Sequence, residues 1–446
     1  MAHGKDAELR FSVIGLGKLG APLAAVMASK GFPVIGVDLN ADFVQALNDG
    51  RAPVEEPRLQ ELIDANRARL SATTDVDTAI HGSDVTFIIV PTPSNPDGWF
   101  SNRHLLAALA RVGDALRSKS GYHLVVITST VMPGSTDGEL RAVLERHSGR
   151  TVGTDLGLCY NPEFIALGSV VRNMLTPDFI LIGESDLKAG ELLAGIYKKS
   201  CDNDPQIKRM NFINAELTKI SVNSYVTTKI SYANMLAGLC ERLPGADVDV
   251  VTDAIGADSR IGRKYLQGAI GYGGPCFPRD NVAFAALARK MGARADLAEA
   301  TQALNQHQID RIAGIIDRHV GTGRRVAVLG LSYKPDTGVV EESQGLMLAD
   351  HLAGNRREVL VYDPQAMPAA IDALGSKVVA AASADACVAE ADVVVIATAW
   401  PEFRTLSVDA LRRPAGQAVT VIDLWRILPA ERYAGVADII YPGVGV

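Results

Sequence analysis

Cys276 stands in GYGGPCFPRD, residues 271–280, with Arg279 and Asp280 close behind it. Gly273, Gly274, Pro275 and Pro278 predict a loop rather than a helix here, with a backbone that a ligand can approach closely. A thiol in that setting can act as a nucleophile. An isolated cysteine is also commonly a small apolar core side chain, and the local residues leave both readings open. Lys219 and Asn223 lie four apart in ELTKISVNSY. On a helix they share one face and can offer a cation and an amide to one developing oxyanion; a solvated surface pair is the competing reading.

GLGKLG places Gly15, Gly17 and Gly20 between a short apolar strand and a helical run, as a dinucleotide-binding turn requires. Glycines there permit the tight turn, the approach of a pyrophosphate and close helix packing, while the helix N-terminus favours negative charge. Asp38 ends the second strand, placed to accept from a ribose 2′-hydroxyl and to repel a 2′-phosphate. The expected cofactor is NAD rather than NADP. A glycine-rich turn that binds no dinucleotide is the alternative.

The elements that must carry these residues are legible from periodicity. RFSVIGLGKLG, the helical run APLAAVMASKG and the strand PVIGVD form a βαβ unit, and further strands read at Val85 to Val90 and Leu124 to Thr128. A doubly wound parallel sheet over roughly the first 200 residues is predicted. From Arg325 the pattern returns as VAVLGLSYK, a helix near Leu346 to Leu352, VLVYD, ADVVVIATAW and VTVIDLW, with Asp363 where the first half has Asp38. Between them, Ile213 to Leu243 predicts one helix of about 30 residues, roughly 45 Å long. Its apolar stripe suggests a subunit interface; burial within one large subunit is the alternative. The expected fold class is α/β, with two Rossmann-like lobes of parallel sheet joined by a long central helix and a helical middle domain. The expected boundaries are a NAD-binding domain at 1–210, a central helical and dimerisation domain at 211–320, and a second, substrate-binding Rossmann-like lobe at 321–446, with substrates held between the lobes.

Composition narrows the class further. A chain of 446 residues exceeds one hydrophobic core, and 48% apolar with 21% charged residues is a globular balance. The net charge of −7 comes without a basic block, which argues against nucleic acid as a partner. Five cysteines without a CxxC pair suggest neither a disulfide frame nor a metal site, and fit a cytoplasmic protein. MAHGKDAEL carries no apolar signal core, and the apolar runs fall far below the ~18 residues of a membrane span, so no membrane association is expected.

From about Arg10 to Gly443 the chain resembles the nucleotide-sugar dehydrogenases, whose best-known members are the UDP-glucose 6-dehydrogenases. The resemblance rests on GLGKLG, PTP at 91–93, STVMPGST, NPEF at 161–164, ELTKISVNSY, SRIGRKYL, GYGGPCFPRD, LGLSYKPDTG and ATAWPEF, in the family's order. It implies that Cys276 is the nucleophile, that Lys219 and Asn223 stabilise oxyanions, and that Asp280 positions or activates water. Thr130 and Glu163 would join that water and proton network. Gly15, Gly17, Lys18, Leu19, Gly20, Asp38, Pro91, Thr92, Thr130 and Arg279 would hold NAD. Glu163, Phe164, Ile165, Lys219, Asn223, Tyr265, Gly273 and Lys334 would contact the nucleotide sugar, and Arg260 that of the neighbouring subunit in a homodimer built on the central helix. The implied reaction is a four-electron oxidation, in which a thiolate holds the aldehyde as a thiohemiacetal and then a thioester. A nearby lysine would favour that thiolate.

Several positions depart from the family pattern. Leu167 stands where a second glutamate is usual, Glu341 and Trp425 where arginines are usual, and Phe43 where a basic residue is common. Arg426 is a candidate to replace the charge lost at Trp425. UDP-glucose is the expected substrate, with dTDP-glucose or an N-acetylated UDP-hexose as alternatives; the lost cations lead to the expectation that a dTDP-sugar is accepted at least as readily. A simple two-electron dehydrogenase and a non-catalytic nucleotide-sugar sensor are the rival functions. Retention of Cys276, Lys219, Asn223 and Asp280 together argues against the sensor.

Overall fold

The computed structural model describes residues 9–320, 325–413 and 418–445, so the first eight residues of MAHGKDAEL lie outside them. The chain divides into two compact units, Met1–Ser221 and Val222–Val446.

In the first unit, strands β1 (Phe11–Ile14), β2 (Val34–Val37), β3 (Leu70–Thr73), β4 (Val85–Ile88), β5 (His123–Ile127), β6 (Leu156–Tyr160), β7 (Phe179–Glu184) and β8 (Gln206–Met210) form one sheet. Their order is β3-β2-β1-β4-β5-β6-β7-β8, and only the β6–β7 pairing is antiparallel. The sheet is buried on both faces, as parallel sheets must be. Alternate residues serve opposite cores: Phe11 and Val13 pack with Phe87, while Ile14 packs with Val37 and Ile88. The first helix, Gly20–Ser29, is apolar all round and buried from Gly20 to Ala28.

The second unit carries β9 (Arg325–Leu329), β10 (Glu358–Tyr362), β11 (Val379–Ala380), β12 (Val393–Ile396), β13 (Val419–Asp423) and β14 (Ala437–Ile440), in the order β11-β10-β9-β12-β13-β14. All its pairings are parallel. The helix Asp296–Val320 buries Ile312 and Ile316 against Val326 and Val328 of this sheet, so the central helices and the C-terminal lobe share one core.

The two lobes repeat one glycine–aspartate device. Gly15 and Gly330 have φ of +96° and +97°. A Cβ on Gly20 would sit 1.7 Å from the Gly15 carbonyl oxygen, and one on Gly345 2.1 Å from that of Gly330. Asp38 accepts from the Leu16 amide at 2.6 Å, and Asp363 from the Leu331 amide at 2.8 Å. They differ in what else they hold. Asp363 is buried and also accepts from Ser332, Gln365, Ala366 and the Trp400 indole, whereas half-buried Asp38 takes only the Asn40 amide in addition.

The long helix runs Phe212–Cys240, 29 residues. Ile213, Leu217, Tyr225, Tyr232, Met235 and Leu239 stay exposed along it, contrary to a helix buried within one subunit. One local expectation fails around Cys276. A helix, Phe277–Lys290, begins directly after it, with Cys276 as N-cap residue. Pro278 falls in the first turn, where its missing N–H would have had no intrahelical partner anyway.

Candidate active site

In the first unit the expected residues gather at the carboxyl ends of the parallel strands, around the point where the order reverses between β1 and β4. Gly15 cannot carry a side chain, because a Cβ would lie 2.1 Å from the Ile89 carbonyl oxygen. At Gly17 a Cβ would meet nothing within 4 Å. Packing does not demand glycine there, which leaves close approach of a ligand as the physical reason. Lys18 is exposed and Leu19 caps the first helix. These features, with Asp38 retaining unused acceptor capacity, fit the pyrophosphate and ribose of NAD. Thr92 donates to the Thr130 carbonyl at 2.7 Å, tying the loop after β4, where Pro91 is exposed, to the loop after β5.

The long helix fastens this rim from one side. Glu216, fully buried, accepts from the Gly134 and Thr136 amides at 2.6 and 2.7 Å, and so anchors the loop that carries Thr130. One turn on, the Lys219 ammonium donates to the Glu163 main-chain carbonyl at 2.6 Å and lies 4.6 Å from the Phe164 ring centroid. Lys219 is 5% exposed and Asn223 7%, which removes the solvated-pair reading. The Glu163 carboxyl is enclosed beside Tyr197, and burial pushes it up to about 7, partly offset by Lys219 and the Tyr197 hydroxyl. Ile165 and Leu167 pack on the first unit's core, so the missing glutamate has become an apolar contact. Phe43 packs there as well.

In the second unit Cys276 is an exposed thiol, whereas Cys159, Cys240 and Cys387 are buried and Cys201 partly so. It is not a core side chain. The helix N-terminus behind it favours a negative sulfur. Asp280 sits in the first turn of that helix at 1% exposure, accepting from Asn223 at 2.7 Å and from Arg279 at 3.2 Å. Ser224 meets Asn281 at 3.0 Å, a second tie between the same two helices. Tyr265, at φ +65°, sets its exposed ring 6.2 Å from Phe277. A Cβ on Gly273 would lie 2.1 Å from the Glu342 carbonyl oxygen, and one on Gly274 2.5 Å from the Tyr333 ring. The Cys276 loop is thereby seated on the segment holding Lys334 and the exposed Glu341. Arg260 projects into solvent beside Asp258 at 2.6 Å.

Arg426 is held through Nη1 by Asp247 at 2.8 Å and Asp249 at 3.2 Å, while its Nη2 has no hydrogen-bond partner. Trp425 donates its indole N–H to the Ala397 carbonyl at 2.8 Å. Glu216, Asn161 and Tyr197 were not singled out from sequence. The available signal for Glu216 was an acid one turn before Lys219 on the same helix face.

Models of the UDP-glucose/GDP-mannose dehydrogenase family match the chain in sequence order: the NAD binding domain over residues 9–201, the central domain over 213–307 and the UDP binding domain over 327–430. The chain belongs to this family. As a member of the UDP-glucose/GDP-mannose dehydrogenases it is an NAD-dependent dehydrogenase of nucleotide sugars. It is 37% identical to the UDP-glucose 6-dehydrogenase AglM of Haloferax volcanii, over 91% of this chain and 95% of that one. It is 32% identical to the GDP-mannose 6-dehydrogenase of Azotobacter vinelandii, over 96% and 99%. A solved UDP-glucose dehydrogenase from Pyrobaculum islandicum superposes with a TM-score of 0.89 at 33% identity, covering 100% of both chains. Among the described residues no helix is long and apolar enough to cross a membrane, and no cluster of three or more His, Cys, Asp or Glu could hold a metal.

Proposed function

We propose that this enzyme oxidises UDP-glucose at carbon 6 to the uronic acid, with Cys276 carrying the sugar between the two oxidations. The observation that carries this reading is an exposed thiol at a helix N-terminus, one turn from the Asn223–Asp280 pair. NAD, when bound, supplies the two-electron oxidant for each step. The primary alcohol first loses a hydride and a proton to give the aldehyde. The Cys276 sulfur adds to the aldehyde carbon, and the oxygen takes a proton, giving a thiohemiacetal. Loss of a second hydride and a proton leaves a thioester. Water then adds, the carbon–sulfur bond breaks, and the thiol and the acid are released.

Lys219 and Asn223 are the donors to the oxygen that becomes negative at the addition steps, and Asp280 orients the water. Thr130 and Glu163 belong to the same water and proton network. Gly15, Gly17, Lys18, Leu19, Gly20, Asp38, Pro91, Thr92, Thr130 and Arg279 form the cofactor set. Phe164, Ile165, Tyr265, Gly273 and Lys334 contact the nucleotide sugar, and Arg260 reaches that of the partner in a homodimer. The exposed apolar stripe of the long helix supports that dimer. UDP-glucose is favoured by the names of the relatives above, although the GDP-mannose enzymes are nearly as similar. Glu341 and Trp425, standing where the family usually has arginines, support altered handling of the nucleotide, with a dTDP-sugar accepted at least as readily.

The test is NADH formation from UDP-glucose, dTDP-glucose, GDP-mannose and UDP-N-acetylhexosamines, with wild type and Cys276→Ser. Two NADH per sugar are expected from wild type, and binding without turnover from the variant. One NADH per sugar with a released aldehyde, or full activity in Cys276→Ala, overturns the covalent reading. A kcat/KM for UDP-glucose far above that for dTDP-glucose overturns the nucleotide reading alone.

A further inference from the structure

The segment assigned above to the sugar, Glu163 to Ser169, lies outside strands and helices. At its start the Lys219 ammonium holds the Glu163 carbonyl at 2.6 Å. Its far end is held by Glu56, 112 positions before Gly168 in the chain. One carboxylate oxygen of Glu56 accepts from the Gly168 amide at 2.9 Å and the other from the Val170 amide at 2.7 Å. Val170 opens the helix Val170–Leu175, whose N-cap residue, Ser169, makes no side-chain cap. The first amides of a helix have no intrahelical acceptor. Here the acceptor comes from a distant segment, so the cap is at the same time a tertiary clamp. Between the two anchors the stretch keeps a turn, closed by the Ser169 amide on the Ala166 carbonyl at 3.1 Å with Gly168 at φ +77°, and a long bond from the Ala166 amide to Asn173 at 3.4 Å.

The clamping residue is itself held in place. The Glu56 carbonyl accepts from the Leu59 amide at 3.1 Å, closing a turn over Glu56, Pro57, Arg58 and Leu59. Proline in second place and Arg58 at φ +68° and ψ −4° in third match a type II turn, which ordinarily takes glycine at that third position. A residue with a side chain keeps this conformation where its surroundings impose it, and such strain gathers at sites where geometry serves function. Pro57 also confines Glu56 to extended backbone. Leu59 is fully buried, and Ala52 and Val54 pack on the same apolar core as Ile165 and Leu167. Gln60 fastens the approach to the turn, accepting from the Ala52 amide at 2.8 Å and donating to the Gly50 carbonyl at 2.8 Å.

We propose that Glu56 is a positioning residue for sugar recognition: by fixing the Gly168 and Val170 amides it sets where Phe164 and Ile165 stand against the nucleotide sugar. This rests on the assignment of Phe164 and Ile165 to the sugar given above. The clamp takes no part in either oxidation, so it contributes equally to binding of the ground state and of the transition states, and its loss raises KM while sparing kcat. Lys219 keeps its own hold on the Glu163 carbonyl when Glu56 is changed.

Glu56→Ala removes both acceptors, and Glu56→Gln keeps one acceptor oxygen while turning an amide NH2 toward the other N–H. The KM for UDP-glucose, or for whichever of the sugar nucleotides named above wild type turns over fastest, should rise about tenfold in Glu56→Ala and about threefold in Glu56→Gln, with kcat and the KM for NAD changed less than about twofold. Deuterium uptake over residues 164–170, measured without substrate, should quicken in the same order while β1 and the first helix keep their wild-type pace. Glu56→Gln, the milder change, decides alone if Glu56→Ala does not fold. An unmoved KM for the sugar nucleotide, unmoved uptake over that segment, or equal losses in kcat and in both KM values overturns the proposal. Phe164→Ala separates it from the reading on which it rests. If Phe164→Ala raises KM and the Glu56 variants do not, Glu56 positions nothing; if none of them moves KM, the sugar contact itself is misassigned and the positioning role falls with it.

Discussion

Asn223 donates to the Asp280 carboxylate at 2.7 Å, joining the long helix to the first turn of the helix that Cys276 caps. With Asn223 removed, Asp280 remains buried with one donor fewer, at a cost of about 1–3 kcal/mol. Asn223→Ala should lower stability by that amount in chemical denaturation and reduce kcat more than tenfold. Asn223→Asp sets two carboxylates together and should be worse on both counts. An alanine variant with wild-type stability and turnover would show that this contact organises nothing.

Lys219 is expected to matter through its charge. Lys219→Ala should cost about 10²–10³ in kcat, the usual effect of losing one preorganised oxyanion donor. Lys219→Met, which keeps the length of the side chain, should be equally slow. A fast methionine variant would assign the residue to packing.

Asp38 should enforce cofactor choice. Its carboxylate, bonded to the Leu16 and Asn40 amides, faces a 2′-phosphate with unneutralised negative charge. The kcat/KM ratio of NAD over NADP is expected at about 10² or more in wild type and should collapse in Asp38→Gly. Equal turnover with both cofactors in wild type would remove the argument.

The exposed stripe on the long helix should be an interface. Replacing Tyr232 and Leu239 with glutamate is expected to convert a dimer to monomers in sedimentation equilibrium, without loss of helix content. A wild-type chain that sediments as a monomer at all concentrations would contradict the homodimer.

Glu163 also makes stability depend on pH. Its folded ionisation, about 7, lies above the carboxylic value of 4.5, so between these values the folded state holds a proton that the unfolded state has lost. Stability therefore falls as pH rises from about 4.5 to about 7 and then levels off. Glu163→Gln should lack this component, so its melting temperature relative to wild type should rise across that window. A gap independent of pH would place the carboxyl in solvent.

What the sequence disclosed follows the range of the forces involved. The βαβ units, the glycine turns and the long helix were legible because periodicity and turn chemistry are local. The helix after Cys276 was not, since two prolines concealed a start that Pro278 tolerates in a first turn. Burial of Lys219 and Asn223 depends on which segments pack over the long helix, and no spacing rule states that. The ties of Arg426 to Asp247 and Asp249 were hidden for the same reason, because those residues lie far away in the chain. Leu167 and Phe43 were noticed as losses of charge, while their role as core contacts became visible only in the fold.

The saturated carboxylate of Asp363 gives the second lobe a built-in timekeeper. The Leu331 amide bonds to a carboxylate sealed among five other donors, so its hydrogen can exchange with deuterium only when that lobe opens substantially. The Leu16 amide bonds to Asp38, which is only half-buried and is the proposed acceptor for the cofactor's ribose. Deuterium uptake at Leu16 should therefore slow when cofactor is added, while that at Leu331 keeps its pace, so one labelled sample reports occupancy at one amide and the intrinsic opening of the fold at the other.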